Sequence, residues 1–280
     1  MKAFVSTDME GLPHIVSNEH MSPGGKLYDE ARLIMTECVL AVVEELRASG
    51  ADKVIVADGH GPKINLIPQR MPEYVDLVRG NPRSVSMISG ARGTDMALFV
   101  GYHAKPGTPN STFDHTIDDV ILRRVKLNGE ESSEFYMNAA TLGEQGVPVV
   151  LVAGDRTLLE GDVEKFAPWI VRVALKEGMG RFAAISPSMP RCLDAIRRGV
   201  KTAVAEFRDN KMKPLILTPP VEVEVSFTSS AYAHIASHLP RSQRIGGFGL
   251  RYEAQSMEEA YRVIQLLTWA ASGVQAAVGT

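Results

Sequence analysis

The sequence predicts an α/β protein, with a mainly parallel sheet and flanking helices in an N-terminal domain and a smaller α+β domain after it. Three observations carry this reading. Short β-branched runs alternate with helical periodicity through residues 1–155. A Ser-Pro-rich turn, Ser186 to Pro190, and a proline-bounded stretch, Pro214 to Pro220, then change the character of the chain. Finally, 280 residues are enough for two domains of about 150 residues or less, and the breaks place them at 1–190 and 191–280, the second a candidate for oligomerisation.

Taken in order, Ala3–Thr7 is the first expected strand. Tyr28–Ser49 is a long helix with Leu33, Ile34, Val39, Val42, Val43 and Leu46 on its apolar side, stopped by Gly50. Lys53–Ala57, Val75–Val78 and Met96–Tyr102 follow as strands. Val120–Leu127 reads as an antiparallel or edge strand ended by the Asn128-Gly129 turn. Ser132–Gln145 reads as a helix and Val147–Ala153 as a buried strand. Phe166–Glu177 and Cys192–Phe207 are expected helices. After the prolines come a strictly alternating strand, Val221–Phe227, a short helix near Tyr232–His238, a strand near Arg244–Arg251 and a helix over Met257–Ala271. Ser256 and Glu259 have the spacing of a capping box for that last helix.

Composition narrows the function. Thirty Lys plus Arg against thirty-three Asp plus Glu leave a net charge of −3, which argues against a nucleic-acid partner held through phosphates. Two cysteines, Cys38 and Cys192, far apart, make no disulfide framework and no cysteine zinc site, in keeping with a reducing compartment. The N-terminus turns acidic at Asp8 and the longest strongly apolar run is Val147 to Ala153. A soluble, cytoplasmic protein without a membrane partner is therefore expected.

Chemistry gathers at the strand ends, where open α/β sheets bind ligands. The first strand runs into Asp8-Met9-Glu10-Gly11, and positions 8 and 10 of an extended chain point to one side. The second strand runs into Asp58-Gly59-His60, and the strand at 96–102 into His103. Acid and imidazole are the ligands of a zinc-type site, and four exceed what one catalytic ion takes from a protein. Glu134 is the best-placed further carboxylate. Each residue also has a plainer reading. Asp8 and Glu10 suit a solvated turn, Glu134 beside Ser132 as N-cap suits the helix macrodipole, and Asp58 either caps its own turn or orients His60.

Ser6-Thr7-Asp8-Met9-Glu10-Gly11, Asp58-Gly59-His60, Gly101-Tyr102-His103-Ala104, Asp114-His115, Glu134-x-x-x-Asn138-Ala139 and Val152-Ala153-Gly154-Asp155 together resemble the zinc-dependent D-aminopeptidases encoded beside bacterial dipeptide permeases. The resemblance implies a dinuclear zinc enzyme releasing N-terminal D-amino acids such as D-Ala from short peptides. It implies two Zn²⁺ per subunit, with Asp8 bridging, Glu10 and His60 completing one site, and His103 and Glu134 the other. His115 corresponds to the catalytic histidine, a suitable proton donor to the leaving amine near neutral pH, with adjacent Asp114 a candidate to orient it. A homodecamer of two stacked pentamers around an inner cavity is implied too. Leu12-Pro13-His14, Glu131-Ser132-Ser133, the bulky Phe135-Tyr136 and the spacing from His103 to His115 depart from the family pattern, which bears on the pocket walls. The residues alone leave open another metallohydrolase, for L-peptides or phosphoesters, and a noncatalytic peptide- or metal-binding protein.

Overall fold

The computed structural model describes residues 1–278. Its main sheet has seven strands: β1 (Lys2–Thr7), β2 (Lys53–Asp58), β3 (Val75–Val78), β4 (Met96–Tyr102), β7 (Val149–Asp155), β8 (Val171–Gly180) and β9 (Ala183–Ile185). Their order is β3-β2-β1-β4-β7-β8-β9, parallel from β3 to β8 and antiparallel only at β9. The chain steps outward from β1 in one direction and then returns to start again at β4. The switch point of the sheet therefore lies between β1 and β4, where α/β ligands collect.

Both faces of this sheet are covered, as parallel sheets require. On β1 and β4 successive side chains divide between two cores. Ala3, Val5, Met96, Leu98 and Val100 face the core under helix α1 (Tyr28–Ala48) and helix α5 (Met189–Arg208). Phe4, Ala97 and Phe99 face the other core, which contains α2 (Glu134–Glu144) and α7 (Met257–Val278). That second core also takes in the inner face of a five-stranded antiparallel sheet, ordered β11-β12-β10-β5-β6. Its strands are β5 (Leu122–Leu127), β6 (Glu130–Glu131), β10 (Val221–Phe227), β11 (Gln243–Ile245) and β12 (Gly249–Ala254). They come from two stretches, 122–131 and 221–254, so the second sheet is sewn onto the first by the middle of the chain. Helix α6 (Ser230–Ala236) follows β10.

Several expectations need correction. Residues 166–177 do not form a helix. A helical segment made of α3 (Arg156–Leu158), a π turn (Leu159–Val163) and α4 (Glu164–Phe166) ends there, and Val171–Gly180 is strand β8. Val171, Val173 and Leu175 lie two apart, and Val173 and Leu175 are buried; this is strand alternation, and the otherwise unpaired edge of β7 gives it a partner. The strand β5 is antiparallel, the first of the two expected alternatives, and lies inside its sheet between β10 and β6 instead of at an edge. The single strand expected near Arg244–Arg251 is a hairpin, with Gly246 (φ +58) in the turn between β11 and β12. The N-cap of α2 is Ser133, whose hydroxyl accepts from the Tyr136 N–H, and not Ser132. The capping box of α7 is half formed. Ser256 Oγ accepts from the Glu259 N–H, while the Glu259 carboxylate takes the N–H of Gln255 instead of Ser256.

The strand ends approach unusually closely at the switch point. The Asp8 N–H donates to Val100 O and the Gly11 N–H to Gly101 O, each at 2.7 Å. A Cβ on Gly11 would lie 1.9 Å from the Tyr102 carbonyl oxygen. Gly101 has φ +80, and a Cβ there would lie 2.1 Å from Asp8 O. Gly101→Ala combines a left-handed backbone with a backbone clash, so it should lower stability by well over ~1 kcal/mol in urea unfolding. Gly161→Ala, with nothing within 4 Å, should change it little; equal effects would contradict the close-approach argument.

Candidate active site

The carboxyl ends of β1, β2 and β4 deliver Asp8 and Glu10, His60, and His103 to one place, and the first residue of α2 adds Glu134. All five are at most 6% exposed. Ligand atoms of Asp8, Glu10 and His60 lie within 4.8 Å of one another, as do those of Asp8, His103 and Glu134, and those of Glu10, His103 and His115. The structure thus brings together Asp8, Glu10, His60, His103, Glu134 and His115, and Asp8, Glu10 and His103 each belong to two of the three groups.

Each histidine is held in the same way. His60 Nε2 donates to the Met21 carbonyl at 2.7 Å, leaving Nδ1 3.0 Å from Glu10 Oε2 and 3.5 Å from Asp8 Oδ1. His103 Nδ1 donates to Ala104 O at 3.0 Å, and Nε2 lies 3.6 Å from both Asp8 Oδ2 and Glu134 Oε2. His115 Nδ1 donates to Phe113 O at 2.7 Å, and its Nε2 lies 3.8 Å from Glu134 Oε1 and 4.0 Å from Glu10 Oε1. A carbonyl can only accept, so each ring nitrogen facing one carries the proton and the other is turned toward the acids. The His103 and His115 rings also stack, with centroids 4.3 Å apart.

Asp114 does not orient His115. Its carboxylate takes the Gly107 N–H and the Arg181 guanidinium, while the His115 ring donates to the Phe113 carbonyl. Arg181 also holds the Asp114 carbonyl and Asp119, clamping the loop that presents His115. Asp58 caps its own turn: it accepts from the Asn65 and Leu66 N–H groups and from the Asn65 amide, while the Met21 carbonyl orients His60.

Charge in this cluster is heavily coupled. Burial, then the Glu10 and Glu134 carboxylates, push Asp8 well above the usual carboxylate range. Burial acts the same way on Glu10, but His60, His103 and His115 outweigh it and hold Glu10 well below. Burial is likewise overcome at Glu134, chiefly by His103, which brings it to about 2. The imidazoles respond in the opposite sense: despite burial, Glu134, Glu10 and Asp8 raise His103 to about 10, and Glu10 and Asp8 raise His60 well above its ordinary value. Three buried carboxylates thus require positive charge among them, as protons on imidazole or as a metal ion in their place. Asp8 Oδ2 and His103 Nε2 are buried with no hydrogen-bond partner, and these unsatisfied donor atoms face each other. That is the arrangement a cation completes.

The cluster opens into a cleft of about 250 Å³, small for a ligand site. Sequence reasoning missed its far wall, which comes from the C-terminal helix: Tyr261, Gln265, Thr268 and Trp269 of α7 line it. It also missed Lys63, 8% exposed on the same cleft. Burial and the neighbouring Arg83 lower this ammonium to about 8. Both omissions have one cause, since nothing in local spacing links residue 63 or 269 to a site at residues 8–10. The bulky Phe135 and Tyr136 do not wall the cleft; they point into the core, against Phe99 and Phe166. Asn138, one turn after Glu134, donates to the Tyr102 hydroxyl, which pairs with Ser6 Oγ at 2.7 Å. This polar link seats α2 against β1 and β4, and so places Glu134. A larger depression near Arg92, Glu258 and Arg262 is lined by charges that already pair with one another.

Known proteins resemble this chain over nearly its whole length. The family model of peptidase M55, described as D-aminopeptidase, matches residues 1–266. A D-aminopeptidase of Bacillus subtilis (strain 168) is 32% identical over 276 residues, covering 96% of this chain and 97% of its own. The solved structure of the Zn-dependent D-aminopeptidase DppA from Bacillus subtilis, described as a self-compartmentalizing protease, superposes with a TM-score of 0.92. It is 28% identical, with 97% of this chain and 98% of that one covered. From its first strand to the helix that walls the cleft, the chain belongs to the peptidase M55 family of D-aminopeptidases and is a hydrolase.

Proposed function

We propose that the protein is a dinuclear zinc aminopeptidase that removes N-terminal D-residues, such as D-Ala, from short peptides. The observation that carries this reading is that the group of Asp8, Glu10 and His60 and the group of Asp8, His103 and Glu134 have one member in common, the Asp8 carboxylate, while Glu10 and His103 meet His115 in a third group. One carboxylate common to two ligand sets is what a pair of ions sharing a bridge requires. Zinc and the D preference are taken from the relatives. The mixed acid and imidazole donors, and the orphaned Asp8 Oδ2 and His103 Nε2, fit zinc.

Asp8 would bridge, Glu10 and His60 would complete one site, and His103 and Glu134 the other. When bound, zinc supplies Lewis acidity toward the scissile carbonyl and a water nucleophile usable near neutral pH. The chain's own groups do the rest. Hydrolysis places a hydroxyl on the carbonyl carbon, breaks the C–N bond and needs a proton on the departing amine nitrogen. His115 carries that proton: with Nδ1–H fixed by the Phe113 carbonyl, Nε2 faces the cleft beside Glu10 and Glu134, where it takes the proton released by the attacking water and passes it to the amine. The buried acids attract the ammonium of a peptide N-terminus, which favours cleavage of the first bond.

The protein's assembly is part of the same reading. DppA is self-compartmentalizing, and we take this chain to form a homo-oligomer, a decamer by resemblance, that admits only short peptides. The β8–β9 hairpin supports this, because Met179, Phe182 and Ile185 on it are each more than half exposed. Among the described residues no helix is long and apolar enough to cross a membrane, and both cysteines are free and buried, in keeping with the proposed cytoplasmic location.

The zinc-loaded protein should release D-alanine from D-Ala-D-Ala and lose this activity to a chelator, with little turnover of L-Ala-L-Ala. Turnover of the L peptide alone would reject the D preference, and silence on both would reject the peptidase. Asp8→Asn should retain neither ion by elemental analysis, and loss of only one would contradict the shared role. His115→Ala should keep both ions while kcat falls about 10²–10⁴-fold; loss of metal would instead make His115 a ligand.

A further inference from the structure

The acids and imidazoles of the cleft are accounted for by the proposed chemistry, but Lys63 is not. It lies on the loop after β2 with φ +58, a left-handed backbone that a lysine seldom adopts. The loop is nevertheless rigidly held. The Lys63 N–H donates to His60 O and its carbonyl accepts from the Gly80 N–H, both at 2.8 Å. Arg79 donates to Ile64 O, Asn81 to Gly61 O, and the Asp58 carboxylate ties down Asn65 and Leu66. Among the described residues the Lys63 ammonium has no hydrogen-bond or ion-pair partner, although the residue is 92% buried (100 − 8) and lines the cleft. The carboxylates nearest in effect, Glu134, Asp8 and Asp58, are engaged elsewhere: Glu134 by the Ile117 N–H, Asp8 by His60, and Asp58 by Asn65.

An unpaired cation at the end of a largely buried side chain on a strained backbone is unfavourable by itself, and such features persist where a ligand uses them. The missing partner is an anion. A short peptide carries a free carboxylate only a few atoms from the bond to be cut, and Lys63 lines the same cleft as the proposed metal ligands. A cation placed there pairs with that carboxylate and fixes which way the peptide lies. The geometry points to Lys63 as the group that binds the C-terminal carboxylate of the substrate, making the enzyme selective for di- and tripeptides with a free C-terminus. This inference rests on the aminopeptidase reading above. Lys63 is a specificity residue: it holds the end of the substrate and takes no part in bond breaking.

The test compares kcat/KM of the zinc-loaded protein for D-Ala-D-Ala and for its C-terminal amide, in the parent and in Lys63→Met and Lys63→Arg. A charge-assisted contact predicts that the parent favours the acid roughly tenfold or more, mainly through KM. In Lys63→Met the acid-to-amide ratio should fall to about one with zinc content retained, and Lys63→Arg should restore part of it. Equal turnover of acid and amide by the parent, or an undiminished ratio in Lys63→Met, overturns the carboxylate site while leaving the aminopeptidase intact. No turnover of either peptide by the parent overturns the aminopeptidase reading and the carboxylate site with it.

Discussion

Three carboxylates, Asp8, Glu10 and Glu134, are buried against one another, and the surrounding structure is arranged around that repulsion. Like charges out of water are tolerated only with cations between them. The protein presents three imidazoles for this purpose, and each is anchored to a backbone carbonyl through one nitrogen so that the other faces the acids. Those anchors reach into different parts of the chain: Met21 before α1, Ala104 after β4, and Phe113 in the loop clamped by Arg181. The electrostatic strain of the site is therefore shared by loops well separated in sequence, and a metal ion substitutes for protons that the cluster otherwise holds.

That cluster can exist only because the sheet lets its strand ends meet. The switch point between β1 and β4 opens a crevice, and Gly11 and Gly101 allow the two backbones to come within hydrogen-bonding distance beyond the ends of the strands. Helix α2 is then locked to this edge by Asn138, Tyr102 and Ser6, which brings the Glu134 carboxylate, borne at the N-terminus of α2, over the same crevice. Backbone packing and side-chain chemistry are one design at this point. The far wall has a different origin, for α7 covers the crevice from the C-terminal end of the chain, and its Gln265 donates to the Arg83 carbonyl.

Much of this was legible from local pattern. Strands β1, β2, β3, β4, β7 and β10 and helices α1, α5 and α7 follow their periodicity closely, because the buried faces of long regular elements leave a strong trace in hydrophobic spacing. The strand β8 was misread because Phe166–Glu177 mixes apolar and charged residues in a way that suits either period, and pairing with β7 decided between them. Asp8, Glu10, His60 and His103, four of the five proposed ligands, were legible because each follows a strand, where polar residues stand out against a buried apolar run; Glu134 instead opens α2. The orienting partners were not: Asp114 is adjacent to His115 in sequence yet turns toward Arg181, sixty-seven residues away, and the carbonyls that hold the imidazoles leave no mark on residue identity.

The sequence by itself determined the class of fold, the strand ends at which chemistry collects and the identities of the five acids and imidazoles proposed as ligands, with His115 beside them. These depend on local alternation and on residue chemistry, which a linear chain records directly. Only the tertiary structure decided that Asp8 is common to two ligand groups, that α7 walls the cleft and that Lys63 stands in it without a partner. Those facts depend on which segments lie across from one another, and sheet order and helix docking set that through contacts between residues far apart in the chain.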